Sequence, residues 1–305
     1  MPTMFKAFLK LSLVGAFFIE LFVLLSKLNW FFELFIHYAH YYVLIGTFFA
    51  LITISKRQFF SALIWLTLVS INLGLLAPYL TVQETVIDQS ASLSIYAQNV
   101  YYKTTDTSDF FETVTALQPD IFIVNEANAI WGNVQGEVLS DYPTTALTQK
   151  TGVHGIFMGS KTPGTFTEIP LGSEVGLEFI PDGSVYKILG VHPQAPLTPS
   201  WADERNEQFK DLALYVQNSS VPVVIVGDFN CAPWSPYFEE LLLSSGLADA
   251  RVGFGLIPTW KANSWLFHLP IDHALVSQEW QVLTFQSHPT KTADHKGILV
   301  ELSLP

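Results

Sequence analysis

Residues 221–236 read VPVVIVGDFNCAPWSP, and the interpretation of the whole chain turns on them. Val221 and Val223 to Val226 form an apolar, β-branched run, the pattern of a buried strand over 222–227. The run stops at Gly227, and Asp228 and Asn230 follow at once. A carboxylate and an amide mounted where a strand ends are held more accurately than on a mobile loop. Taken alone, the same DFN would also suit an Asx turn, in which Asp and Asn bond nearby backbone. Cys231 is the single cysteine of the chain, so no intramolecular disulfide can form. After a strand, it reads as a small buried hydrophobe rather than a nucleophile.

Moving outward, the same arrangement recurs. The strand-like run 93–100 carries Asn99 at its end, and 120–126 (DIFIVNE) carries Glu126. Asp272 opens a run over 271–277 (IDHALVS), and Asp294–His295 precede the last, 297–302. Further strand-like runs occupy 153–159, 175–180 and 185–191. Helical patterning covers 107–118, closed by Pro119, and 236–245. The clearest helix is 201–218, where Trp201, Phe209, Leu212 and Val216 recur at helical spacing. Strands mixed with helices and few long loops indicate an α/β sandwich rather than an all-β fold. Carboxylates and amide oxygens are hard ligands, suited to Mg²⁺ or Mn²⁺, with Ca²⁺ also compatible, and not to zinc. The sequence has no zinc-ligand spacing, no Gly-rich phosphate loop and no G-x-S-x-G elbow.

The N-terminal third differs in kind. Residues 1–80 carry only Lys6, Lys10, Glu20, Lys27, Glu33, Lys56 and Arg57 as charged side chains, a net of +3. The remainder holds ten basic and 25 acidic residues, a net of −15. This step near Pro78 divides a membrane anchor, 1–80, from a soluble domain, 81–305. Apolar runs near 9–26, 37–54 and 59–77 are close to the length that spans a bilayer as a helix. Glu20 makes the first the least clean. A signal peptide would not account for the two later runs. Lys6, Lys10 and the Lys56–Arg57 turn place the N-terminus and that turn in the cytoplasm, with Lys27 a minor contradiction. Three spans then leave the soluble domain on the opposite, extracytoplasmic side of the membrane. Only Glu20, His37, His40 and Asn72 are polar enough to serve transport, too few for a transporter. An acidic domain lacks the electrostatic footprint of a tight nucleic-acid binder. It does not exclude a nuclease, because bound cations reverse the local field.

The order of these motifs resembles the endonuclease/exonuclease/phosphatase superfamily, the DNase I-like fold, over about 93–302. The carriers are Asn99, Glu126, His192 at a strand end, the R-x-x-Q of Arg205 and Gln208, GDFN (227–230), IDHALVS (271–277) and the pair Asp294–His295. HPQAP (192–196) and CAPWSP (231–236) are similar to a bacterial membrane-anchored subgroup. The resemblance implies a four-layer αββα sandwich with the site at one edge of the sheets. It implies Glu126 as the principal metal carboxylate, with Asn99 and Asp272 nearby. Asp228 and Asn230 would position the attacking water or the phosphate oxygens, and His192 would contact the phosphoryl group. His295 would be the general base or acid, oriented by Asp294. The terminal motif departs from the family by reading ADHKG, with Ala293 where a Ser is usual.

The expected activity is metal-dependent hydrolysis of a phosphodiester: nucleic acid, a phospholipid or inositol-phosphate head group, or a small phosphodiester. The lipid bilayer is the other partner, through the N-terminal helices, and no protein partner can be inferred. A non-catalytic envelope binding or scaffold domain is the competing class, and it would have lost ligands that this sequence retains. His154, His268 and His288 read as packing or surface residues and His273 as structural. Tyr96 and Trp260 read as core, with Trp260 also a candidate stacking surface, and Arg205 as a clamp of the long helix against its sheet.

Overall fold

The computed structural model describes residues 2–82, 92–134, 140–264 and 266–303. The stretch joining the N-terminal helices to the following domain, 83–91, lies outside the described residues.

Four helices open the chain: α1 (Pro2–Leu24), α2 (Trp30–Ile36), α3 (Ala39–Ser55) and α4 (Phe59–Leu80). Ala7–Leu24 and Phe59–Leu80 are each long and apolar enough to cross a membrane. α2 and α3 qualify only as a pair bent by 57°. Glu20, which breaks the apolar pattern of α1, is buried, and its carboxylate accepts the Asn72 amide of α4 at 2.8 Å. Pairing of this kind is how polar groups persist inside apolar bundles. α3 and α4 pack closely: Phe49 stacks on Trp65, and a Cβ at Gly46 would lie 2.6 Å from Val69. Small residues permit such approach between apolar helices.

The domain that follows contains two six-stranded sheets among the described residues. The first runs β11 (Gln281–His288), β12 (Gly297–Ser303), β1 (Ser92–Asn99), β2 (Ile121–Asn125), β4 (Ile156–Ser160), β3 (Thr144–Leu147). The second runs β5 (Gly164–Leu171), β6 (Glu174–Pro181), β7 (Lys187–Val191), β8 (Val223–Asp228), β10 (Asp272–Val276), β9 (Ala248–Asp249). Each sheet has one parallel pair, β1–β2 and β7–β8, and the remaining pairs are antiparallel. Parallel neighbours need a crossover, supplied by α5 (Ser108–Leu117) and by α6 (Pro199–Gln217). α7 (Pro236–Ser245) follows β8.

Alternation along each strand sorts side chains between layers. Ile95, Ile123 and Met158 of the first sheet meet Ile188, Val224 and Val226 of the second in the central core. On the outer side, Phe122 and Val124 pack under Phe110, Phe111 and Val114 of α5. Leu189 and Ile225 pack under Phe209, Leu212, Phe238 and Leu241 of α6 and α7. The result is the αββα sandwich expected from the motifs. Trp201 does not join the buried face of α6 and is exposed, whereas Arg205 and Gln208 are buried there. Trp234 and Ala232, just past β8, pack instead on Ile36, Leu76 and Tyr79 of the N-terminal helices.

Ile123 is fully buried between the sheets. Its replacement by Ala should cost about 2–5 kcal/mol of unfolding free energy, the range for truncating a core Ile. Denaturant titration of the full chain in detergent micelles measures this, and a loss under about 1 kcal/mol would contradict a packed inter-sheet core.

Candidate active site

The ends of β1, β2, β7, β8 and β10 and the approach to β12 converge on one rim of the sandwich. The convergence begins in the backbone. A Cβ at Gly227 would lie 1.9 Å from the Val191 carbonyl oxygen, so glycine is what lets β8 draw against β7 here. Asn125, fully buried at the end of β2, then ties one sheet to the other. Its amide nitrogen donates to Val191 O at 2.9 Å, and its Oδ1 accepts the Asp228 backbone N–H at 3.0 Å. Asp228 is thereby fixed at the seam.

Its carboxylate has four close neighbours. Asn99 Nδ2 donates to Oδ2 at 3.0 Å, and the Asn230 N–H donates to Oδ1 at 2.8 Å. His192 Nε2 stands 3.5 Å from Oδ2 and His295 Nε2 3.6 Å. His295 Nδ1 donates to Asp272 Oδ2 at 2.9 Å, completing a buried series Asp272–His295–Asp228. One ligand atom from each of these three lies within 4.8 Å of the others. His192 Nδ1 donates to Val153 O at 2.8 Å, which turns Nε2 into the site. Asn230 Nδ2 lies 3.2 Å from that nitrogen and donates to Pro193 O at 3.0 Å.

Glu126 stands on the other side of Asn99, whose amide donates to Glu126 Oε1 at 3.1 Å. The Tyr102 N–H donates to Glu126 Oε2 at 2.7 Å. Glu126 and Asn230 both have left-handed backbone, with φ of 62° and 50°. Non-glycine residues hold that conformation only where surroundings impose it, and such strain gathers at functional sites.

Two placements differ from the sequence reading. The carboxylate on His295 Nδ1 is Asp272. Asp294, given that place by the family resemblance, instead accepts Trp260 Nε1–H at 3.1 Å. The chain bends at Asp294 and leaves its carboxylate on Trp260, whereas β10 brings Asp272 across from the other sheet. Asn99 was expected to offer an amide oxygen to a cation. Its oxygen is taken by the Tyr101 N–H at 3.0 Å, and its NH₂ spaces Glu126 from Asp228.

Other side chains settle around this rim. His273, beside Asp272, faces away and donates to Cys231 O at 2.8 Å. Cys231 is buried, and burial pushes its thiol up to about 12, so it is no thiolate at neutral pH. Arg205, buried on α6, donates through its guanidinium to Glu33 of α2 at 2.5 Å. The sequence reading missed Asn125, although an Asn inside the apolar run IFIVN was the available signal.

The electrostatics follow from burial. Burial alone would lower the pKa of His295, but the carboxylates of Asp272 and Asp228 outweigh it and raise it to about 10. Burial alone would raise Asp228, but His295 and His192 hold it down to about 2. His192 is lowered by burial and raised more by Asp228, for a net upward shift. Asp228 and Asp272 bring carboxylate oxygens together beside His295, and Glu126 stands across the Asn99 amide, so the rim offers hard oxygen donors that suit a divalent oxygen-seeking cation.

In metal-free protein, the raised His295 contributes stability that is complete below its ordinary 6.5 and lost as pH rises through 10. The lowered Asp228 contributes stability present above 3.8 and lost as pH falls through 2. Melting temperature in EDTA should therefore be highest between those ordinary values and decline on the alkaline side. Asp272→Asn should flatten the alkaline decline, and an unchanged profile would argue against the His295–Asp272 pair.

The chain matches the model of the Endonuclease/Exonuclease/phosphatase family over residues 97–295, well over half its length. No curated protein matches it. Among solved structures, the human Nocturnin catalytic domain with bound sulfate is similar at 18% identity and a TM-score of 0.57, covering 72% of this chain and 97% of that one. Zebrafish (D. rerio) TDP2 complexed with single-strand DNA product has 15% identity and a TM-score of 0.56, covering 70% and 99%. An endonuclease/exonuclease/phosphatase from Beutenbergia cavernae has 17% identity and a TM-score of 0.53, covering 70% and 72%. At these identities the solved structures speak for the fold, and the family match, spanning the segment that carries Asn99, Glu126, Asp228, Asp272 and His295, adds the chemistry: this chain belongs to the endonuclease/exonuclease/phosphatase family and is a phosphoric ester hydrolase.

Proposed function

We propose that this protein hydrolyses a phosphodiester with a divalent cation, from a site held close to a bilayer on its extracytoplasmic face. The observation that carries the reading is the buried series Asp272–His295–Asp228 beside Glu126 and His192. Glu126, Asp228 and Asp272 would hold Mg²⁺ or Mn²⁺, with Ca²⁺ also compatible with oxygen donors. Such an ion, when bound, screens the non-bridging phosphoryl oxygens and stabilises the leaving oxygen.

The chain's own groups divide the remaining work. His295, kept protonated by Asp272 and Asp228, presents Nε2–H to a phosphoryl or leaving oxygen as donor or acid. Asp228 stays ionised at neutral pH and accepts a hydrogen bond from the attacking water, orienting it. His192 and Asn230 face the same space and contact the phosphoryl group. Asp294, tied to Trp260, fixes the indole at the rim. General acid–base help of this kind is typically worth about 10²–10⁴-fold.

The net of −15 outside the anchor disfavours tight duplex binding. One observation favours a phospholipid head group within the phosphodiester class. The loop after Asp228 packs through Trp234 on the anchor helices, and Tyr41 donates to Leu266 O at 2.6 Å in the loop before Asp272. The positive-inside pattern of Lys56 and Arg57 supports the extracytoplasmic placement. A scaffold would have no need to retain all of these carboxylates and both histidines.

The test uses full-length protein in detergent micelles on bis-p-nitrophenyl phosphate, single-stranded DNA and phosphatidylinositol phosphates. Turnover should require Mg²⁺ or Mn²⁺ and vanish with EDTA. Glu126→Gln and His295→Ala should each lower kcat by about 10²–10⁴-fold. No hydrolysis by the wild type on any substrate would favour the non-catalytic scaffold.

A further inference from the structure

We propose that Glu33 and His37, from the N-terminal helices, are positioning residues of the hydrolase site, which is correctly set only when α2 is docked under the loop after β8. The inference rests on the hydrolase reading above.

The loop 231–235 is bound to the anchor at every residue. Glu33 is fully buried although it stands in the apolar sequence WFFELFI. Its Oε1 accepts Ser235 Oγ–H at 2.8 Å and the Cys231 thiol at 3.6 Å, and its Oε2 accepts Arg205 Nη2–H. His37 Nδ1 lies 3.0 Å from the Ala232 backbone N–H. A backbone N–H can only donate, so Nδ1 is unprotonated and the ring neutral, with Nε2 directed at Glu33 Oε1, 4.0 Å away. Tyr79 OH donates to Pro233 O at 3.1 Å, and Trp234 Nε1 donates to Ile36 O at 2.6 Å.

This loop begins one bond beyond Asn230, which already sits at φ 50° and holds Asp228 Oδ1. Cys231 O is also the acceptor for His273, the residue after Asp272. Movement of 231–235 is therefore carried to both carboxylates that flank His295. Ser235 in addition caps α7, accepting the Tyr237 N–H at 3.3 Å. A tether needed only to localise the domain would have no use for a buried carboxylate set against that loop. Taking a charge out of water is costly unless it is paired, and here Arg205, at 0% exposure, is the partner. The break that bends α2 by 57° from α3 brings Glu33 and His37 to the domain in place of a straight span.

The experiment uses the full chain in nanodiscs. His37→Leu removes the acceptor for Ala232, while His37→Asn puts an oxygen near where Nδ1 stood. Glu33→Gln removes the charge that faces Arg205. His37→Leu and Glu33→Gln should lower kcat on bis-p-nitrophenyl phosphate at saturating Mg²⁺ on the order of 10–100-fold, the cost of about 1 Å of misplacement. KM should move less than about twofold, and His37→Asn should restore most of the rate. Independently of turnover, ring ¹⁵N resonances of His192 and His295 should shift in His37→Leu and return in His37→Asn. Lowered melting temperatures with unchanged kcat and unchanged ring resonances would overturn the proposal, leaving α2 a mere stabiliser. Should Glu33→Gln fail to fold, the two His37 variants decide. Should the wild type hydrolyse nothing, the hydrolase reading falls, and the ring resonances alone decide whether α2 sets the rim.

Discussion

The carboxylate of Asp228 sits where two sheets meet, and the rest of the site is arranged around the cost of burying it. A lone buried charge is expensive in a low-dielectric interior, and pairing with hydrogen-bonded partners is what makes it tolerable. Here the partners come from separate strand ends: Asn99 from β1, His192 after β7 and His295 before β12. Asn125 of β2 supplies the bond to its backbone. His192 comes from the strand beside Asp228, but Asn99, Asn125 and His295 belong to the other sheet and cannot reach it unless both sheets have closed on the shared core of Ile123, Val224 and Val226. Assembly of the sandwich and assembly of the site are thus one event.

The same requirement explains why the two histidines titrate as they do. Each is buried, which favours the neutral ring, yet each faces a carboxylate that cannot escape, and the carboxylates prevail. A site with fixed negative charge and at most two positive rings is built for a guest that brings further positive charge, and an anionic phosphoester is repelled until it arrives. Electrostatic complementarity to the charged reaction partners, set in advance by the fold, is the general means by which such sites lower barriers.

At the other end of the loop after β8, the apolar helices contact the following domain directly. Their outward side chains, such as Phe17, Leu51 and Leu63, are exposed as lipid-facing residues would be. Three of their buried ionisable groups are paired: Glu20 with Asn72, Glu33 with Arg205 and Ser235, His37 with Ala232. The last three of these partners belong to the catalytic domain, so buried polar contacts cross the boundary near residue 80.

How far this was legible depended on burial. Runs such as VVIVG and IFIVN read directly as strands, because interior strands are apolar on both faces. The four strands that escaped notice, β3, β5, β9 and β11, are the four sheet edges. Most side chains of β5 and β11 are partly buried or in water, and β9 is two residues long, so no apolar run marks them. α2 escaped for a related reason: seven residues are too few for periodicity, and Glu33 looked like the margin of a span. Sequence alone determined which residue types stand at the strand ends, and hence the family and the chemistry open to it, because strand period and hard-ligand preference are local properties. Which carboxylate meets which imidazole, Asp272 rather than Asp294 on His295, and where Glu33 goes were decided only in three dimensions. Those pairings join residues 23 and 172 positions apart, and nothing in the chain's local order encodes a contact that the packing of separate layers creates.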